Sequence, residues 1–182
     1  MRSTALFLSA LAIAASARAA DFTVTSPQVS QGGTLGTAQV FNGFGCQGSN
    51  QSPALTWSGA PAGTRSFAIT VYDPDAPTGS GWWHWVVYNL PATTSGLPAN
   101  AGTVDSRSLP GSAVQVRTDY GTPGFGGACP PPGDRPHRYV FTVHALKVDR
   151  LDVPAGASPA MVGYFLGMNR LGQATLEARY GR

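Results

Sequence analysis

Apolar and polar residues alternate with a period of two over much of this chain, and that period predicts strands. Ser66–Tyr72 puts Phe67, Ile69 and Val71 on one face, and the same parity carries Asp73 to that face at the strand's end. Trp82–Leu90 is apolar on both faces, with His84, Val86 and Tyr88 on one and Trp83, Trp85 and Val87 on the other. A central strand sandwiched between layers fits that pattern. Arg138–Leu146 sends Tyr139, Phe141, Val143 and Ala145 one way, with His137 sharing their parity and His144, read as structural, facing the other. Ala174–Tyr180 places Leu176 and Ala178 inward and Glu177 and Arg179 outward. Shorter strands are predicted at Phe22–Thr25, Ala38–Phe41, Ala54–Trp57 and Ala113–Arg117. A single helix is expected after Ser158-Pro159, an N-cap followed by a first-turn proline. Its apolar stripe would be Met161, Val162, Phe165, Leu166 and Met168, with Gly163, Gly167 and Gly172 placed for close packing. The fold class is therefore all-β, an antiparallel β-sandwich with a short C-terminal helix.

The first nineteen residues change the picture of charge and location. Arg2, the apolar run Ala5–Ala15 and Ala17-Arg18-Ala19 read as a secretory signal peptide cut before Ala20. Residues 20–182 form one domain of about 163 residues, large enough for its own core. The expected location is periplasmic or secreted. The residue directly after the cut is Ala20 and not cysteine, so no lipoprotein anchor is predicted, and no later run is apolar enough to span a membrane. Without Arg2 and Arg18, 10 basic residues face 9 acids, a net charge of +1, so a nucleic-acid partner is not indicated. Cys46 and Cys129 are an even pair in an oxidising compartment, and one disulfide is expected to tie the loop at 43–50 to that at 121–133.

Two stretches carry the candidate chemistry. Between the apolar strands around Tyr72 and Tyr88 lie Asp73, Pro74, Asp75, Ala76, Pro77, Gly79, Gly81 and His84. The prolines lack an N–H, so the ladder ends and the chain turns out and back. The second stretch is the Gly/Pro-rich loop 121–133, then His137-Arg138-Tyr139. Together they predict one small polar pocket. Each residue also has a plainer reading: Asp73 as a turn cap, Asp75 as an exposed turn residue, His84 and Tyr139 as core, His137 as surface. Gly43–Gly48 matches G-x-G-x-x-G, but no helix start follows, so no dinucleotide site is read. Asn50-Gln51-Ser52 is a formal glycosylation acceptor. No G-x-S-x-G or H-E-x-x-H occurs, and neither a catalytic residue, a metal site nor a cofactor is implied.

These motifs, Asp73–Pro77, Trp82–Asn89, Gly126–Pro131 and His137–Tyr139, resemble the phosphatidylethanolamine-binding protein family, most closely its bacterial Raf-kinase-inhibitor-like branch. The resemblance runs from about Phe22 to Gly181. Ala128 stands where many relatives carry proline, and Leu166–Arg170 lacks the histidines often found there. The resemblance implies a β-sandwich and an anion pocket for phosphate-like or carboxylate groups, built from Asp73, Asp75, Pro77, His84, Gly126, Pro130, His137 and Tyr139. It also implies a cis Ala76–Pro77 bond. For such a pocket to accept an anion, the carboxylates must be offset by a protonated carboxyl, by N–H groups of His84 and His137, and by a backbone nest along Gly124–Gly127. The leading expectation is an exported, non-catalytic binding protein. The alternatives are a module that inhibits a kinase or protease, and a phosphoester hydrolase using the same residues. Relatives in the bacterial branch are often dimers, so a homodimer is a further expectation by analogy.

Overall fold

Strands that are apolar on both faces need cover on both, and the architecture supplies it. The computed structural model describes residues 21–182, and the expected signal peptide with its expected cut before Ala20 lies outside them. The strands are β1 (Thr23–Thr25), β2 (Asn42–Gly43), β3 (Cys46–Gln47), β4 (Leu55–Ser58), β5 (Ser66–Asp73), β6 (Trp82–Pro91), β7 (Gly96–Leu97), β8 (Val114–Gln115), β9 (His137–Leu146) and β10 (Arg170–Tyr180), with helix α1 (Pro159–Asn169) before the last. A five-stranded antiparallel sheet, β10-β9-β5-β6-β8, packs on a three-stranded one, β1-β4-β7; β2 and β3 form a separate hairpin. Between the two sheets sit Leu55, Trp57, Ile69, Val71, Trp85, Phe141 and Leu176. The outer face of the large sheet, with Ala68, Val86, Tyr88 and Leu146, is covered by Val162 and Leu166 of α1 and by Leu151. Among the described residues no helix is long and apolar enough to cross a membrane.

Two irregularities in β6 shape the site. Val71 pairs with Trp85 but Tyr72 pairs with Trp83, so His84 is an extra residue in the ladder. Such a bulge reverses the facing of side chains beyond it. Trp83 therefore joins Val86 and Tyr88 on the helix side, while His84 meets Tyr139 on the inter-sheet side. This corrects the simple parity expectation, which had placed His84 with Val86 and Tyr88. A second shift lies between the pairs Phe67–Leu90 and Ile69–Val87, and there Asn89 adopts φ 62°. Asn89 tolerates that conformation and binds the Leu151 backbone N–H through Oδ1 at 2.7 Å.

Other local expectations are corrected as well. Ala38–Phe41 is not a strand: Thr37–Gln39 is a 3-10 turn, and Val40 makes one bridge, to Ala128. Ala113–Arg117 shortens to β8. The helix caps as predicted, with Met161 N–H donating to Ser158 Oγ. Yet Met161 and Met168 are exposed, because only the Val162–Leu166 side meets the sheet. Gly163 and Gly167 have no neighbour where a Cβ would lie; a Cβ on Gly172 would come within 2.8 Å of Pro61. Asn50 is not a free acceptor for a glycan: its amide donates to Phe125 O and accepts from Gly127 N–H.

His144 is buried in the large sheet, 3.0 Å through Nε2 from Thr70 Oγ1. Burial pushes its pKa down to about 3. The unfolded chain therefore takes up a proton that the folded chain refuses. Stability is intact above the unfolded value near 6.5 and falls as pH drops from there toward 3. The expected loss from this residue between pH 7.5 and 5 is about 2 kcal/mol. Urea titrations at the two pH values test this, and His144→Gln should flatten the slope.

Candidate functional site

The end of β5, the start of β6 and the start of β9 lie side by side, and the side chains at those ends define a cavity of about 190 Å³. Asp73 is 2 % exposed and fully engaged. Its Oδ1 accepts the N–H groups of Asp75 (2.8 Å) and Ala76 (3.1 Å), which caps the turn. Its Oδ2 lies 2.8 Å from His137 Nδ1. The other ring nitrogen of His137 lies 3.3 Å from Asp134 Oδ2. Asp73 is thus both turn cap and cavity wall. The turn continues with Thr78 N–H donating to Ala76 O at 2.8 Å, a γ-turn centred on Pro77. These bonds close the turn with a trans Ala76–Pro77 bond, which corrects the cis expectation.

His84 is set by the bulge and by Gly126. Its Nδ1 donates to Gly126 O at 2.7 Å, and Gly126 N–H donates back to His84 O at 2.8 Å. A carbonyl only accepts, so Nδ1 carries the proton and Nε2 of the neutral ring presents a lone pair. Among the described residues that Nε2 is buried without a hydrogen-bond partner, as are Tyr139 Oη and Trp82 Nε1. Burial holds the His84 pKa below its ordinary value, and the carboxylates of Asp73 and Asp119 offset this only in part. Burial also raises the pKa of Tyr139 well above the usual phenol range, so its hydroxyl keeps its proton.

Of the eight residues expected at the site, Asp73, Pro77, His84, Pro130, His137 and Tyr139 line the cavity. Two do not. Asp75 turns to the other side of the loop, where its carboxylate accepts from Arg138 N–H (2.9 Å), Nε (2.9 Å) and Nη2 (3.0 Å), and from Arg135. The Arg138 guanidinium holds its carboxyl well below the usual carboxylate range. Gly126 stands behind His84 as its orienting carbonyl; a Cβ there would lie 2.2 Å from the Tyr120 ring. The anticipated nest is absent too. The N–H groups of Phe125, Gly126 and Gly127 bond Gly102 O, His84 O and Asn50 Oδ1.

The sequence did not single out Phe44, Trp82 and Tyr120, which complete the wall. Tyr120 stacks on Phe41 at 4.1 Å, meets Trp82 edge-on, and donates its hydroxyl to Gly127 O. Its signal was an aromatic residue directly before the glycine loop. The expected disulfide is present, Cys46–Cys129, and Cys129 itself faces the cavity. Arg182 reinforces the same wall: its guanidinium donates to Pro130 O (2.7 Å), Gly45 O (3.0 Å) and Phe44 O (3.2 Å).

Comparison with known proteins places this arrangement among relatives. The UPF0098 protein YbcL of Escherichia coli K12 is 57% identical over 165 residues, covering 91% of this chain and 90% of that protein. Its crystal structure, described as a new member of the mammalian PEBP family, matches with a TM-score of 0.87 over 90% of this chain and 99% of that one. YbhB from the same organism is 51% identical over 85% of this chain and 97% of its own length. A Mycobacterium tuberculosis H37Rv protein named as the lipoprotein LppC is 33% identical, covering 87% of this chain and 71% of that protein. The family model described as phosphatidylethanolamine-binding protein matches residues 25–181, and the chain belongs to that family.

Proposed function

We propose that this chain is an exported binding protein whose cavity holds a small oxyanion, a phosphate or carboxylate group on a larger ligand. Family membership supports a binding protein in general terms. One observation carries the finer reading: Trp82 Nε1, His84 Nε2 and Tyr139 Oη are buried, lack a partner among the described residues, and belong to residues lining one cavity. Buried polar groups are rarely left unmatched, so a ligand that supplies their partners gains the hydrogen bonds the fold leaves unmade. Asp73 does not forbid this, because its oxygens already accept from two N–H groups and face His137. Export is supported by the disulfide and by the lipoprotein name of the mycobacterial relative.

Titration of the mature protein with inorganic phosphate, followed by NMR, is expected to move the His84 ring signals at millimolar ligand. Tyr139→Phe should weaken that binding roughly tenfold, since it deletes one donor to the anion. Unmoved His84 signals at high phosphate would contradict the reading. A mature N-terminus at Ala20, found by mass spectrometry of the exported fraction, would support the location; an intact Met1 would contradict it.

A further inference from the structure

We infer that the cavity selects a protonated oxyanion, a phosphate or phosphomonoester still carrying an O–H, over a sulfate or phosphodiester that has none. This deepens the oxyanion reading above and rests on it. Trp82 Nε1 can only donate, and the Tyr139 hydroxyl is available to donate. His84 Nε2 can only accept, because Gly126 O fixes the proton on Nδ1. The vacant partners therefore amount to two acceptors and one donor. A singly protonated phosphate offers this set, with oxygens to meet Trp82 and Tyr139 and a P–OH to meet His84. Sulfate offers acceptors alone, so binding it leaves His84 Nε2 against an oxygen lone pair.

The charges around the ring argue the same way. Among the described residues no lysine or arginine lines the cavity. The groups against His84 are Gly126 O and Tyr120 from the segment before the disulfide and Tyr139 from β9, while the carboxylates of Asp73, engaged with His137, and Asp119, which accepts the Trp83 N–H, act on it through their charge. His137 lines the same cavity but is paired with Asp73. Sulfate would be accommodated only if His84 took up a proton, which its burial opposes. A phosphate arrives with that proton on its own oxygen. In either case one proton ends between the ligand oxygen and His84 Nε2, so the balance differs only in which partner supplies it.

The test is calorimetry at about pH 5.5, where a phosphomonoester retains its last proton. The probes are inorganic phosphate, methyl phosphate, dimethyl phosphate and sulfate. Phosphate and methyl phosphate are expected to bind roughly 10- to 100-fold more tightly than sulfate and dimethyl phosphate. Methyl phosphate should weaken as pH rises to about 8 and its O–H is lost, whereas inorganic phosphate keeps one and should weaken less. His84→Gln, which replaces an acceptor by an amide, should bring phosphate and sulfate to within about threefold of each other. Sulfate or dimethyl phosphate binding the wild-type protein as tightly as phosphate would overturn the inference alone. Silence from all four probes would instead remove the oxyanion reading and this selectivity with it. If His84→Gln does not fold, the wild-type panel decides.

Discussion

Opening the Cys46–Cys129 bond is expected to lower the unfolding free energy by about 4 kcal/mol while leaving the folded cavity in place. The two cysteines are 83 residues apart in sequence, so the bond closes a long loop. In the chain-entropy account its effect is mainly on the unfolded ensemble, which regains that loop's freedom on reduction. The folded side changes little because Arg182 ties the same two segments, Phe44–Gly45 and Pro130, through three charge-assisted hydrogen bonds. Urea unfolding of the protein with and without a reductant measures the difference. A loss under 1 kcal/mol would mean that the reduced chain stays compact when unfolded. Collapse of the native fold in reductant alone would mean that Arg182 does not hold the wall.

Asp73→Ala should be the most damaging single substitution at the site, at about 3 kcal/mol. Asp73 accepts two backbone N–H groups of the turn and faces His137, all from a position sealed from solvent. The turn amides, at partly exposed Asp75 and Ala76, can turn to water once the carboxylate is gone. His137, 2 % exposed, cannot. Asp73→Asn keeps an oxygen for the turn and should cost less, with the remaining loss at His137. Chemical denaturation of both variants checks the order; equal stability of Asp73→Ala and wild type would show that His137 finds another partner.

Much of this was legible in the amino-acid sequence where the period was regular. Strands β5 and β9, and β10 from Gly172 onward, keep their two-residue alternation, so Asp73 and His137 were assigned to the correct face. The reading failed where one residue was inserted. His84 is an extra residue within a run of tryptophans, and nothing in that run marks a bulge. The two acids of Asp73-Pro74-Asp75 were also indistinguishable. Which of them points inward depends on Arg138, 63 positions along the chain, whose backbone and side chain claim Asp75. The glycine loop looked like an anion nest because its composition permits one. Three of its N–H groups, those of Phe125, Gly126 and Gly127, are instead spent on Gly102, His84 and Asn50, partners that only the tertiary fold brings near. The disulfide was readable from compartment and parity; the aromatic wall was not, since Phe44 and Tyr120 lie in segments without a period and Trp82 lies beyond the bulge that reverses facing in β6.

The most direct measurement is a crystal structure of the mature protein grown with phosphate. The expected result is an anion inside the cavity, within hydrogen-bonding reach of Trp82 Nε1, His84 Nε2 and Tyr139 Oη. Phosphate found only outside the cavity, on Arg135 and Arg138 beside Asp75, would contradict the account.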